Sequence, residues 1–144
     1  PALLTIRTNT LKTTRAALRA ALESEGVELS ESTYSSAGLN IISSPQWLRT
    51  LQAYRDGWFM VQDQAAQCIS LLLTPQPGEA VMDACAAPGG KATHLAELMR
   101  NQGSVTAVEL DASRMAKIRE NSRLCRTYLP GLLVSSRIPP VTGM

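Results

Sequence analysis

The chain has 144 residues, of which 44% are hydrophobic and 18% are charged, a balance typical of a globular protein and not of a disordered segment. This length suffices for one domain with a small appended subdomain, but hardly for two full domains. The apolar run from Ile69 to Leu73 is far too short to cross a bilayer, and a net charge of +2 predicts only modest attraction to a polyanion.

The first predicted element is a helix that begins after Thr13 or Thr14 and ends near Glu25, because Leu18 and Leu22 recur at helical spacing. The segment 27–51 follows. Its short apolar stretches are broken by Ser, Gly, Asn and Pro, which is typical of small strands joined by turns. We therefore expect the N-terminal part to be a small α+β subdomain.

The turn dipeptide Asp56-Gly57 precedes an aromatic and apolar stretch, 58–61, that predicts a strand. Asp63 then occupies a good N-cap position for a helix that runs to Leu73. Two prolines in 74–78 end this helix. We place the boundary between the two parts before the helix, so that they comprise residues 1–62 and 63–144.

Beyond residue 78 the chain alternates strand, turn and helix, as in a parallel sheet. The predicted elements are a strand at Ala80–Ala84, a loop at Cys85–Gly90, a helix at Lys91–Arg100, a strand at Ser104–Leu110, a helix from Asp111 or Ser113 to Leu124, and a third strand at Gly131–Val134. The predicted fold class is α/β, with a partial Rossmann-like sheet after the N-terminal subdomain.

The loop after the first of these strands consists of small residues and opens a helix, as a loop that lets a ligand approach the backbone would. It is not a Walker A loop, because Cys85 replaces a glycine and Ala92 replaces the magnesium-binding hydroxyl residue. A dinucleotide G-x-G-x-x-G is also absent. Glu109 ends the next strand, where a carboxylate can accept hydrogen bonds from both ribose hydroxyls, which predicts an adenosine-type cofactor.

The run from Asp83 to Lys91 is similar to the D-x-C-A-A-P-G-G-K signature of the Sun/Fmu (NOL/NOP/Sun) family of S-adenosylmethionine-dependent RNA cytosine-5 methyltransferases. The stretch 58–67 resembles the entry to that family's catalytic fold. Leu4–Leu11, with its R-x-N-T-L pattern, resembles the start of the family's small RNA-contacting subdomain. The similarity covers about residues 4–124.

The resemblance implies S-adenosyl-L-methionine as cofactor, ribosomal or transfer RNA as partner, and methylation of cytosine C5 as activity. It assigns the methionine part of the cofactor to Cys85, Ala86, Ala87, Pro88, Gly89, Gly90 and Lys91. It assigns the ribose to Glu109, support of the loop to Asp83, and contact with RNA to Arg7. Basic residues from Arg114 to Arg126 could add a phosphate-attracting stripe, although a solvated helix face is the favoured reading.

The family's two catalytic cysteines lie in later D-A-P-C-S and T-C-S segments, and neither segment occurs in these 144 residues. We therefore assign no catalytic residue and expect no methyl transfer by this chain alone. Cys85 is expected to be a small buried side chain of the loop, while Cys68 and Cys125 are expected to pack on helices. The segment 126–144 does not match the family, so no adenine contact is assigned.

With three cysteines and no C-x-x-C spacing, we expect no disulfide framework, no metal site and a reducing, cytoplasmic compartment. His94, the single histidine, is expected to be a surface or packing residue. Because Pro1 stands first, we expect the start of the gene product to be missing. Two functions stay open: part of an RNA methyltransferase, or a non-catalytic cofactor- or RNA-binding module. An exposed sheet edge would allow self-association.

Overall fold

The computed structural model describes residues 4–127, and the chain folds into two compact units. The first unit runs to Thr74 and also takes in Leu124–Arg126, while the second begins at Pro75 and contains the chain up to Arg123. The helix that we predicted from Asp63 belongs to the first unit. The division between the units therefore follows this helix, whereas the sequence placed it at 62/63.

The first unit contains four strands and three helices within the described residues. They are β1 (Leu4–Thr8), α1 (Arg15–Ser24), β2 (Glu28–Glu31), β3 (Gly38–Ser43), a 3-10 turn (Leu48–Thr50), α2 (Gln52–Arg55), β4 (Phe59–Val61) and α3 (Gln64–Leu73). Thr14 caps α1 by accepting a hydrogen bond from the amide of Ala17, and Asp63 caps α3 in the same way through Ala65. The predicted helices are confirmed, but the prediction that a helix comes first is wrong, because β1 precedes it.

The four strands form an antiparallel sheet in the order β2-β3-β1-β4. One face carries the hydrophobic core, in which Ile6 and Phe59 of the sheet pack with Leu18 of α1. The other face is polar and buried. Gly38 lies opposite Arg7 in the register, and a side chain at Gly38 would approach Gln67 of α3 at 3.1 Å, so α3 covers this polar face.

The second unit is a βαβ unit followed by a further helix. Its elements are β5 (Ala80–Asp83), α4 (Gly90–Leu98), β6 (Ser104–Ala107) and α5 (Ala112–Cys125), and β5 pairs with β6 in parallel. The last two residues of α5, Leu124 and Cys125, fall in the first unit. The α/β fold class is confirmed. The third predicted strand, Gly131–Val134, lies outside the described residues, and self-association through the sheet edge stays a prediction. No helix in residues 4–127 is long and apolar enough to span a membrane.

Candidate functional site

The parallel pairing brings two loops to the same edge of the second sheet. Asp83 lies opposite Ala107 in the register, and the pairing continues past the strands, since the Val108 amide donates to the Asp83 carbonyl at 2.8 Å. The amide of Ala86 then donates to the Val108 carbonyl at 3.0 Å. The loop after β5 and the acidic segment after β6 consequently emerge side by side, as ligand-binding loops do in open α/β sheets.

The loop after β5 ends at a glycine in a left-handed conformation. Gly89 has φ +105°, and its amide donates to the Ala86 carbonyl at 2.6 Å. Thr93 fixes the junction with α4, because its hydroxyl and its amide both donate to the Gly89 carbonyl, at 2.8 and 2.9 Å. The N-terminus of α4 therefore faces the loop and supplies the partial positive charge that attracts an anionic group.

Gly89 also lies directly against α5. A Cβ built on it would be 3.2 Å from the Cα of Ile118, a backbone atom of that helix. Any side chain at this position would thus meet both an unfavourable φ and a close backbone neighbour. We expect glycine here to let a ligand approach, and its φ together with the tight contact to α5 gives the structure a second reason for glycine.

Two side chains of α5 brace the loop from the other side. Asn121 donates from Nδ2 to the Pro88 carbonyl at 2.7 Å, and Arg114 donates to the Ala87 carbonyl at 3.4 Å. The peptide between Ala87 and Pro88 is cis. No sequence signal distinguishes Asn121, since a single asparagine on a polar helix is ordinary until the position of the loop is known.

Glu109 is held in place after β6. Its side chain is 8% exposed, its Oε1 accepts from the Asp111 amide at 3.1 Å, and its Oε2 lies 3.5 Å from the Arg114 guanidinium. Asp111 accepts from the hydroxyl and amide of Ser113 at 2.7 and 2.8 Å, and these bonds lower the pKa of Asp111. A carboxylate fixed in this way can accept hydrogen bonds from a ligand without first being ordered. The neighbouring Leu110, which the sequence analysis missed, is 74% exposed and offers an apolar surface beside it.

Asp83 supports the loop from the end of β5. Its Oδ1 accepts from the Cys85 amide at 3.3 Å, while Oδ2 is buried and has no hydrogen-bond partner within residues 4–127. A buried carboxylate oxygen without a donor is unfavourable by about 1–3 kcal/mol. This arrangement favours a ligand that brings a donor, such as an ammonium group.

The loop residues differ in what they expose. Ala86 and Gly89 are buried, Ala87, Gly90 and Lys91 are half-buried, and Cys85 and Pro88 are exposed. The expectation that Cys85 is buried is therefore wrong: the loop turns its side chain outward while the following residue, Ala86, enters the core. Cys68 and Cys125 lie on α3 and α5, half-buried and buried, as expected. No group of three or more possible metal ligands converges among the described residues.

Arg7 is not placed where it could contact RNA. Its side chain is completely buried on the polar face of the first sheet, where it donates to Oε1 of Gln62. Asn9 of the same segment is also buried, and its Nδ2 donates to the carbonyls of Gly57 and Cys125 at 2.9 and 2.7 Å. The R-x-N-T-L pattern thus has a structural role in this chain, and we correct the assignment of Arg7 as an RNA contact.

The basic residues of α5 do not form one free stripe. Arg114 pairs with Glu109, and Lys117 pairs with Glu120 at 2.9 Å, while Arg119 and Arg123 are exposed. Pairing with carboxylates reduces the charge that this face offers to phosphates. His94, by contrast, is buried in α4 and is a packing residue.

Comparisons with known proteins agree with this geometry. A family model described as 16S rRNA methyltransferase RsmB/F matches residues 70–129, and one described as the RsmF/B-like ferredoxin-like domain matches residues 1–46. Ribosomal RNA small subunit methyltransferase B of Pseudomonas syringae pv. tomato is 43% identical over 100 residues, 69% of this chain and 22% of that protein. The probable ribosomal RNA small subunit methyltransferase B of a Synechocystis species is 40% identical over 124 residues, 80% of this chain and 26% of that protein.

The fold likeness extends over nearly the whole chain. A solved structure of a methyltransferase homolog protein from Pyrococcus horikoshii matches with a TM-score of 0.86 and 28% identity, covering 95% of this chain and 44% of that one. The βαβ unit and its loop are therefore those of a Rossmann-like methyltransferase. More narrowly, the chain belongs to the RsmB/F family of 16S rRNA methyltransferases, which confirms the predicted family. It spans about a quarter of the length of the curated relatives that it matches.

Proposed function

We propose that this chain binds S-adenosyl-L-methionine at the loop Cys85–Lys91 and at Glu109, and that the whole protein methylates cytosine C5 in ribosomal RNA. The observation that carries the proposal is the placement of a fixed carboxylate, Glu109, at the same sheet edge as a glycine loop that opens α4. Family membership supports the reaction class. Such a protein would act in the cytoplasm.

The residues present fit the proposed cofactor. Glu109 has acceptors for two ribose hydroxyls, and the buried, unpartnered Oδ2 of Asp83 suits the ammonium of the methionine part. The N-terminus of α4, with Lys91 in its first turn, suits the carboxylate. When bound, the cofactor supplies a sulfonium methyl group to a nucleophilic carbon. This chain's own residues bind and orient it.

Methylation of cytosine C5 also needs a cysteine thiolate that adds to C6, because the unactivated ring carbon is a poor nucleophile. These 144 residues contain no D-A-P-C-S or T-C-S segment, and Cys85 lies in the proposed cofactor loop. We therefore assign cofactor binding to this chain and the covalent step to other parts of a full-length protein.

Calorimetric titration with S-adenosylhomocysteine tests the cofactor site. Removal of the Glu109 carboxylate by Glu109→Ala should weaken binding about 10- to 150-fold, since hydrogen bonds to charged groups contribute about 1.5–3 kcal/mol. The matched control is Glu120→Ala, which removes an exposed carboxylate of α5 and should leave affinity unchanged. Equal affinity of the wild type and Glu109→Ala would remove Glu109 from the ribose site.

A further inference from the structure

The first unit presents a tryptophan to solvent. Trp47 is 84% exposed, more than any other large hydrophobic side chain among the described residues. The second tryptophan, Trp58, is partly buried against the core of the same unit. Tryptophan is enriched at interfaces, because it joins a large apolar body to a polar N–H group, so this exposed ring is a candidate contact with a partner.

Trp47 borders a groove of about 410 Å³. Leu4 and Ile41, which are paired across β1 and β3, line the groove from the sheet, and Pro45 and Leu48 line it from the loop that carries Trp47. Small-ligand pockets fall in this size range and combine apolar walls with a few polar groups. The groove therefore has the size and lining to receive one flat aromatic ring beside the indole.

The loop holds Trp47 by its backbone. Thr50 donates from its hydroxyl to the Trp47 carbonyl at 2.7 Å and from its amide to the same oxygen at 2.8 Å. The Ser44 hydroxyl donates to the Gln46 carbonyl at 2.7 Å, and the Thr50 hydroxyl lies 3.2 Å from Oε1 of Gln46. A ring mounted on a fixed backbone loses little conformational entropy when a partner stacks on it.

An exposed cation lies beside Trp47 in the chain. Between residues 38 and 55 the chain contains two basic residues, Arg49 and Arg55, and no acidic one. Both arginines are exposed, and Arg49 lies in the 3-10 turn next to Trp47. Acidic residues flank the same region: Asp56 ends α2 and accepts from the Gln52 side chain at 3.0 Å, the Glu25 carboxylate lies 3.5 Å from the Gln52 amide, and Glu28 lies opposite Ser43.

We propose that this groove binds an unpaired base of the RNA substrate, stacked on the Trp47 indole, with Arg49 near the adjoining phosphate. The inference rests on the proposed function, because it takes RNA as the partner. Aromatic platforms combined with cations bind single strands with little sequence preference. The helix α3 also exposes apolar side chains, Ile69 and Leu72, but contains no charged residue of its own.

The test uses the 144-residue chain and two fluorescently labelled probes, a short oligouridine and an RNA duplex of equal length. Anisotropy titration at low salt gives Kd for the wild type, Trp47→Ala, Trp47→Phe and Leu72→Ala. Trp47→Ala should weaken oligouridine binding about 5- to 150-fold, the effect of losing one base–aromatic stack. Trp47→Phe should retain most of the affinity. Leu72→Ala, which removes an equally exposed apolar side chain elsewhere, should bind like the wild type.

Two further measurements distinguish stacking of a base on Trp47 from the electrostatic contact of Arg49 with a phosphate. In a Trp58→Phe background Trp47 is the single tryptophan, and its emission should be quenched by oligouridine but not by the duplex. Arg49→Gln should lower the slope of log Kd against log salt by about 0.7, the value for one phosphate contact on a single strand, while Trp47→Ala should leave the slope unchanged. Circular dichroism and thermal unfolding confirm that each variant is folded.

Equal oligouridine affinity of the wild type and Trp47→Ala would overturn the inference and leave the cofactor proposal intact. Duplex binding as tight as oligouridine binding and equally dependent on Trp47 would overturn base stacking. Concentration-dependent self-association that Trp47→Ala abolishes, without any effect on RNA, would assign the groove to a second copy of the chain. Absence of RNA binding by the wild type even at low salt would count against both this inference and RNA as the chain's partner, whereas the calorimetric titration judges the cofactor site separately.

Discussion

The two units differ in what fills their cores. In the first unit one of ten buried core residues is alanine, and the others are mostly Leu and Ile with one Phe. In the second unit four of nine are alanine: Ala86, Ala92, Ala96 and Ala107. Full burial of a Val, Leu, Ile or Phe side chain contributes about 1.5–3 kcal/mol, and a methyl group far less. The first unit therefore gains more hydrophobic stabilisation per core residue.

The small residues of the second unit follow from its site. Ala86 enters the core directly beside the exposed Cys85, and Ala92 lies in the first turn of α4. Small side chains there let the loop, α4 and β6 approach closely, so that the helix N-terminus and Glu109 meet at one edge. In the second unit, small core side chains let the backbone elements of the site pack closely together. Larger side chains would fill the core with more buried apolar surface but would hold these elements further apart.

The largest expected change in the free energy of unfolding comes from a substitution in the hydrophobic core of the first unit. Phe59 is fully buried and its ring packs edge-on against Tyr54 with centroids 5.6 Å apart. Phe59→Ala should lower the free energy of unfolding by about 3–5 kcal/mol, as measured by urea denaturation followed by circular dichroism. Val61→Ala, on the same strand but 45% exposed, should change it by less than about 0.5 kcal/mol. A comparable loss in both variants would contradict the assignment of the core.

A bound cofactor should stabilise the unit with the smaller core. S-adenosylhomocysteine at a hundredfold excess over its Kd should add about 2.7 kcal/mol to the free energy of opening at its site. Hydrogen exchange should show this as slower exchange in the loop after β5 and in α4, with the amides of β1 and β3 as internal controls. Unchanged exchange in α4 at saturating ligand would place the binding site elsewhere.

The smallest expected change in stability comes from removing the N-cap of α1. Thr14→Ala should destabilise the chain by about 1 kcal/mol, because its side-chain oxygen accepts the Ala17 amide at 3.2 Å. Thr13→Ala is the matched control, since Thr13 stands one position before the cap. Thermal unfolding of the two variants compares them directly, and an equal or larger loss in Thr13→Ala would show that the cap is misassigned.

Much of the architecture was predictable from the sequence. Helix caps at Thr14 and Asp63, and the strand, loop and helix around Gly89, follow from local signals that do not depend on distant residues. The sequence could not choose between Thr13 and Thr14, because either hydroxyl can cap. The sequence also predicted that Glu109 follows the second parallel strand. Because neighbouring parallel strands end at the same edge of a sheet, Glu109 and the loop after β5 must then lie at one edge.

Sequence-based predictions were incomplete or wrong where the environment of a side chain is set by residues from a distant segment of the chain. Arg7 alternates with apolar residues in β1, as a solvent-facing charge would, but Gln62 and the polar side of α3 cover it. Cys85 is small, as a buried loop residue would be, but its side chain is exposed and the side chain of Ala86 is buried instead. Helical spacing allows Arg114 in a basic stripe, beside the favoured reading of a solvated face, and it could not indicate that Glu109 and the loop engage Arg114.

The position of Gly89 against the backbone of Ile118 has an evolutionary consequence. Because the close neighbour is a Cα atom, a Cβ at Gly89 needs a shift of the α5 backbone by a few tenths of an ångström and not merely a smaller side chain at Ile118, and the φ of +105° disfavours other residues independently. Selection for a folded second unit alone would therefore preserve this glycine. A descendant that had lost its cofactor should therefore still carry glycine at this position.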